Sequence, residues 1–241
     1  MNLDGRVAMV TGAGRGIGKA IALALAKTGL DVVLAARTRL DLEKIGEQIR
    51  SFGRKALAIP TDVEKEKDVE NLINQTLSVF GKIDILVNNA GVGVFAKVVD
   101  METADFDRMI ATNMRGVFLC TKSVLPTMIK QRFGDIINIA SLAGRNAFIG
   151  GAGYGATKWA MIGFARSLML EVREYDIRVI TICPGSVDTS FDPRASQEIK
   201  DSSRIPKAED IAQVVVNALV MPRNVMVSEI DVRPTNPAWR T

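Results

Sequence analysis

The 241-residue chain contains no histidine. That absence excludes serine–histidine hydrolysis and leaves a cysteine nucleophile without its usual base. It also removes most zinc sites, and no metal is expected. Cysteine is nearly as scarce, with only Cys120 and Cys183. Both fall in apolar runs and read as buried free thiols, since a chain of this length needs no disulfide to hold its core. Aromatic residues make up 5% of the chain, too few for a base-stacking surface. The net charge of +4 does not reverse that reading, because bases are interleaved with acids, as in Glu64-Lys65-Glu66-Lys67-Asp68. No nucleic-acid partner is therefore expected. No apolar run approaches membrane-span length, and Met1-Asn2-Leu3-Asp4-Gly5 runs straight into a strand. No membrane association is expected, and the expected location is the cytoplasm. Linkers, low-complexity blocks and fixed-period repeats are also lacking, so residues 1–241 are read as one domain.

What is present is alternation. Short apolar strands are expected at Arg6–Thr11, Asp31–Ala36, Ala56–Ile59, Ile83–Val87, Asp135–Ala140, Ile177–Ile182 and Val225–Val232. Helical spacing fills the gaps: Ile17–Thr28, Leu40–Phe52, Val63–Phe80, Thr103 to about Lys130, Ala152–Tyr175 and Glu209–Val220. Strands that are apolar throughout are buried on both faces, which points to a parallel sheet covered by helices on each side. In such folds ligands sit at the carboxyl ends of the strands.

The first strand ends in Thr11-Gly12-Ala13-Gly14-Arg15-Gly16-Ile17-Gly18. Gly12, Gly16 and Gly18 follow T-G-x-x-x-G-x-G spacing rather than G-x-G-x-x-G. Small residues let the backbone approach a pyrophosphate, whose charge the N–H groups and dipole of the next helix favour. The second strand ends Leu34-Ala35-Ala36-Arg37, without the acid that grips the adenosine ribose of NAD. Arg15 and Arg37 together suit the 2′-phosphate of NADP, although either alone reads as solvated surface. Asp62-Val63, after the third strand, fits either contact with the adenine ring or a plain helix cap.

Tyr154 and Lys158 are four residues apart and share a helix face. A free tyrosine titrates near about 10, outside the working range at neutral pH. An ammonium ~4 Å away, at an effective dielectric of about 20, lowers that value by roughly three units. Ser141 ends a strand upstream, where its hydroxyl can hold a substrate oxygen while Tyr154 moves the proton.

Taken in order, Thr11 to Gly18, Asp62, Asn88-Asn89-Ala90-Gly91, Asn113, Ser141, Tyr154 with Lys158, and Pro184-Gly185 through Thr189 resemble the short-chain dehydrogenase/reductase family over nearly the whole chain. The resemblance implies a Rossmann-type, doubly wound α/β fold with a mostly parallel seven-stranded sheet and helices on both faces. It implies a nicotinamide cofactor, which Arg15 and Arg37 assign as NADP(H), and hydride transfer between nicotinamide and a carbonyl or secondary alcohol. Asn113 matches a residue that kinks its helix and holds a water in a relay to Lys158. Asn88, Asn89, Ala90 and Gly91 match the stretch that steadies the central strand and lets the cofactor lie across it. Tyr154 and Lys158 then also face the cofactor, Lys158 at the nicotinamide ribose. Pro184, Gly185, Val187 and Thr189 match the wall around the carboxamide.

Within the family, the chain resembles 3-oxoacyl-(acyl-carrier-protein) reductases and broad-specificity enzymes for small 3-hydroxy acids or ketones. Lys130, Arg132 and Arg173 fall near helix ends, where an acidic carrier protein could dock or where they are simply solvated. Against the first resemblance, the end Val227-Ser228-Glu229-Ile230-Asp231-Val232-Arg233-Pro234 lacks a glycine-rich segment. The loop from Ser186 to Pro206, with Arg194, Lys200 and Arg204, is read as a lid. A non-catalytic NADP(H)-sensing regulator is the rival from another class. The presence of Asn113, Ser141, Tyr154 and Lys158 speaks against it. A homotetramer or homodimer built on the two long helices and the last strand is the implied assembly.

Overall fold

The computed structural model describes residues 3–191 and 204–236. Seven strands form one sheet: β1 (Val7–Thr11), β2 (Asp31–Ala36), β3 (Ala56–Pro60), β4 (Ile85–Asn88), β5 (Gly134–Ile139), β6 (Ile177–Pro184) and β7 (Glu229–Val232). Their order is β3-β2-β1-β4-β5-β6-β7, and every neighbouring pair is parallel. The helices are α1 (Gly16–Lys27), α2 (Arg39–Ser51), α3 (Glu66–Phe80), α4 (Thr103–Ile110), α5 (Gly116–Gln131), α6 (Ala152–Val172) and α7 (Ala208–Val220).

Alternation along each strand divides the core in two. Ala8 and Val10 of β1 face one way, packing with Ile21 and Leu25 of α1, Leu42 of α2 and Val215 of α7. Val7 and Met9 face the other way, toward Leu72 of α3, Val124 of α5 and Leu168 of α6. Each fully buried leucine in these layers contributes about 2 kcal/mol of apolar transfer. The two layers explain why the strands carry no polar face.

Three expected elements differ. The helix expected from Val63 begins at Glu66, because Asp62 first closes a turn: its carboxylate accepts from the Glu64 N–H (3.2 Å) and its carbonyl from the Lys65 N–H (3.0 Å). The helix expected across Thr103–Lys130 is interrupted by a π segment, Ala111–Arg115, that contains Asn113. The last strand starts at Glu229 rather than Val225. Ahead of it, the Met221 and Val225 carbonyls accept from the Arg178 guanidinium of β6 (both 3.2 Å), so the Val225 carbonyl is taken by a side chain instead of a strand ladder.

The chain steps outward from β1 to β3, then returns to place β4 on the other side of β1. Loops leaving β1 and β4 diverge there, and that divergence opens a crevice at the carboxyl ends of the strands.

Candidate active site

A cleft of about 1040 Å³ fills that crevice. Its floor at one end is the loop after β1. Gly12 (φ +64°) and Gly16 (φ +53°) adopt left-handed backbone that other residues rarely tolerate. A Cβ on Gly12 would lie 2.8 Å from the Ala90 Cα, and one on Gly18 would lie 2.3 Å from the Gly12 carbonyl oxygen. The loop is therefore pressed against the segment after β4. The Thr11 hydroxyl accepts from the Asn89 and Ala90 N–H groups (3.0 and 3.1 Å). The Asn89 side chain returns the tie, donating to the Thr11 and Gly12 carbonyls (2.9 and 3.2 Å). Thr11 began the sequence motif but was not expected to fasten the two loops.

The start of α1 faces the cleft, with Gly14, Arg15, Gly16 and Ile17 on its wall and no acid in the helix's first turn. Thr189 lies over it, within 3.7 Å of where a Gly16 Cβ would be. Gly18 is buried behind the wall. Arg15 and Arg37 are both exposed on the rim, and no carboxylate among the described residues pairs with either. The sequence held no acid at the end of β2, yet α2 brings one: Asp41 lines the cleft, its Cβ about 3.5 Å from a Cβ placed on Gly14. Asp62 and Val63 also line the wall. Asp62 closes the turn before α3 rather than capping the helix, whose N-cap position is Lys65.

At the other end, α6 delivers Tyr154 and Lys158 to the same side, as their spacing predicts. The Lys158 Nζ lies 5.7 Å from the Tyr154 ring centre and donates to the Ile139 carbonyl at the end of β5 (3.0 Å). The ammonium thus sits where it can favour a phenolate on Tyr154. Burial, with no carboxylate partner among the described residues, pushes the Lys158 ammonium down to about 8. It is still mostly charged at neutral pH.

Ser141 follows β5 and caps a short turn, its Oγ accepting from the Ala143 N–H (3.1 Å). Asn113 is fully buried and lies behind the cleft wall. Its side chain clasps Val92, accepting from the N–H and donating to the carbonyl (both 2.8 Å), and donates to the Thr157 hydroxyl (3.0 Å). Both amide N–H groups are thus used, and a relay through Asn113 has its main-chain carbonyl to work with. Asn88 points into the sheet instead, donating to Asn138 and Thr121 (2.9 and 3.1 Å). Gly91 keeps clear the space beside Asn113 and Lys158, where a Cβ would sit 3.4 Å from the Asn113 Oδ1. Pro184, Gly185, Val187 and Thr189 complete that wall.

Three features had no local signal in the sequence. Thr157 bridges Asn113 to the Tyr154 carbonyl, donating at 2.8 Å. Phe95, Phe148 and Phe191 come from separate loops and gather around Tyr154. Arg145, on the rim after Ser141, is bonded to Glu229 and to Asp231 (3.2 Å), which anchors that rim to β7. The Arg145 and Arg166 guanidiniums hold the Glu229 carboxyl down to about 2. Cys120 is buried, and desolvation pushes its thiol up to about 12, which makes it unreactive. Of the loop read as a lid, residues 192–203, including Arg194 and Lys200, lie outside the described residues.

Comparison with known proteins agrees with the fold. The short chain dehydrogenase family model matches residues 6–200. An uncharacterized oxidoreductase of Staphylococcus aureus (strain MRSA252) is 38% identical over 232 residues, covering 96% of this chain and 98% of the relative. An alcohol dehydrogenase from the archaeon Thermococcus sibiricus, complexed with 5-hydroxy-NADP, superposes with a TM-score of 0.88 at 32% identity, covering 96% of this chain and 97% of that one. A xylitol dehydrogenase bound to NAD+ superposes with a TM-score of 0.89 at 32% identity, over 97% of this chain and all of that one. These matches and the shared architecture place this oxidoreductase chain in the short-chain dehydrogenase/reductase family.

Proposed function

We propose that this protein is an NADP(H)-dependent oxidoreductase interconverting a carbonyl compound and a secondary alcohol, with Tyr154 as its acid–base group. The observation that carries the reading is a single cleft with a glycine cradle at one end and Tyr154 beside a buried lysine at the other. The cradle fits a dinucleotide, because a Cβ at Gly12 or Gly18 would strike backbone. The first-turn N–H groups of α1 would hold the pyrophosphate. Arg15 and Arg37 would take the 2′-phosphate, Asp62 and Val63 the adenine side, and Asn89 to Gly91 with Pro184 to Thr189 the nicotinamide side. NADP(H) is favoured by two guanidiniums on the rim that meet no carboxylate among the described residues, while Asp41 beside Gly14 opposes them.

A reduced nicotinamide held by these residues would supply the hydride that a carbonyl carbon takes up. Tyr154 gives its hydroxyl proton to the carbonyl oxygen, completing the alcohol. Ser141 donates to the same oxygen while the Ala143 N–H holds the serine oxygen in place. Lys158 favours the phenolate that remains, and its tie to the Ile139 carbonyl fixes the ammonium. Asn113 and Thr157 hold Val92 and the first turn of α6 in register.

The carrier-protein expectation gains no support within one chain. Lys130, Arg132 and Arg173 precede β5 and β6, at the end of the strands opposite the cleft. Arg132 is occupied in donating to the Glu174 carbonyl (2.8 Å). A free carbonyl compound is therefore the proposed substrate. A homo-oligomer is proposed on the exposed apolar side chains of α4, α5 and α6, among them Phe106, Phe118, Trp159 and Leu170. Light scattering that gives a monomer ends that part of the reading.

The central test measures kcat/KM with NADPH and NADH over a panel of ketones and oxoacids. NADPH should be preferred, and equal values would remove the cofactor assignment. Absence of turnover with every carbonyl, in protein that still binds NADPH, would favour the regulator instead.

A further inference from the structure

We infer that the substrate is an uncharged ketone flanked by an aromatic or alicyclic ring, gripped by an enclosure of three phenylalanines around Tyr154. The inference rests on the carbonyl-oxidoreductase reading of the same cleft and adds a substrate class to it.

The enclosure is built by packing that spans the fold. The Phe95 ring meets the Tyr154 ring edge-on, with centroids 5.1 Å apart and planes at 61°. The Phe191 ring sits on Tyr154 at 5.8 Å, tilted by 52°, and Phe148 backs Phe95 at 6.1 Å. Two glycines make room for the rings. A Cβ on Gly93 would lie 3.0 Å from the Phe191 ring and 3.2 Å from that of Phe95. One on Gly151 would lie 2.5 Å from the Phe148 ring, so α6 can start beside that side chain only with glycine at this position. The rings are thus held at the acid–base group.

They are also uncovered. Phe148 is 44% exposed and Phe191 40%, and Ile149 on the same rim is 86% exposed. All three line the cleft, so the apolar surface is concave and adjoins the reacting hydroxyl. A ring-bearing ketone covers it with its flank and leaves its oxygen to Tyr154 and Ser141.

Charge argues the same way. Among the described residues lining the cleft, Arg15 and Arg37 stand at the β1–β2 end and Lys158 is buried beneath Tyr154. The remaining cation, Arg233, is paired with Asp231 at 3.1 Å. Among the described residues, a substrate carboxylate or phosphate near Tyr154 meets no unpaired cation on the cleft wall, and burying it against phenyl rings is costly. Aromatic edges, by contrast, suit another ring.

The test follows NADPH absorbance with purified protein and three probes: acetophenone, acetoacetate and acetoacetyl-coenzyme A. Acetophenone should show kcat/KM about tenfold or more above the other two. In Phe148→Ala that preference should fall severalfold while the NADPH dissociation constant stays unchanged. Gly93→Ala, which forces Phe95 and Phe191 apart or inward, should alter it while leaving Phe148 in place. Preference for acetoacetate or the thioester overturns the substrate class and leaves the oxidoreductase reading standing. Unchanged preference in both variants overturns the role of the enclosure. No turnover of any probe by protein that binds NADPH overturns both readings.

Discussion

The two ends of the central strands treat charge in opposite ways. At the amino ends, Asp135 is fully buried but shared by two guanidiniums, Arg178 at 2.6 Å and Arg223 at 2.7 Å. Those arginines spend their other donors on main-chain carbonyls, including Leu219 and Met221 at the end of α7. Asp84, beside them, accepts from the Val7 N–H at 2.8 Å and pairs with Lys82 at 3.2 Å. At the carboxyl ends, Lys158 is also buried; among the described residues it bonds to a carbonyl and faces the Tyr154 ring but pairs with no carboxylate, and neither do Arg15 and Arg37. One end compensates its charges internally and serves stability. The other leaves cations open beside a cleft, where a phenolate or an anionic ligand completes them.

The sharpest way to break this contrast is at Tyr154. Tyr154→Phe should lower kcat by about 10³-fold while leaving NADPH binding and thermal stability near their original values. Near-normal turnover would mean that the proton moves by another route. At the opposite end, Asp135→Asn should cost about 3 kcal/mol or more, because two arginines lose their shared carboxylate. Chemical denaturation reads that loss, and kcat of the remaining folded protein should be unchanged. A neutral result would show that the ion cluster is not what holds the amino ends.

Lys158→Met tests both halves at once. Activity should collapse, yet stability at pH 7 should hold or rise, by up to about 3 kcal/mol, since the folded protein carries the ammonium at a penalty. The sign follows from the pKa, which burial lowers from 10.5 to about 8. The penalty is complete below about 8, and the unfolded chain binds the extra proton between the two values. Wild-type stability should therefore gain on the variant's in reverse, closing the gap as pH rises from 8 to 10.5. A gap that does not narrow over that window would contradict the burial effect. Reductive kcat/KM should also fall as pH climbs through about 8, where the ammonium is lost.

How much of this was legible beforehand depended on range. Local patterns gave the parallel sheet, the helix layers, the cradle and the Tyr154–Lys158 face, because each is written within a few turns of chain. Gly12, Gly16 and Gly18 announced a close backbone approach by spacing alone, but not that its partner was the loop after β4. The distortion at Asn113 was implied only by the resemblance, since residues 111–115 have ordinary helical composition and the Val92 clasp that rewards the π segment lies 21 positions away. The aromatic enclosure was hidden for the same reason: Phe95, Phe148 and Phe191 meet only once β4, β5 and β6 are side by side. Asp41 carried no local signal either: a ribose-binding acid belongs at the end of β2, whereas Asp41 reaches the cleft only because the first turn of α2 folds back over Gly14.

That acid supplies the finest test of the contrast. If the cleft leaves its cations open for a phosphate, a carboxylate on the same wall works against it. Arg37→Ala should weaken NADPH binding by about tenfold with little effect on NADH, since one charge-assisted contact is removed. Asp41→Asn should act in the other direction and more weakly, tightening NADPH by severalfold, because repulsion across a partly solvated cleft is screened. Both shifts should shrink as salt is raised. If instead Asp41→Asn weakens NADH selectively and leaves NADPH unmoved, the carboxylate is a ribose ligand supplied by α2 in place of the missing acid on β2. The open guanidiniums would then be solvated surface, and the difference between the two ends of the sheet would rest on Lys158 alone.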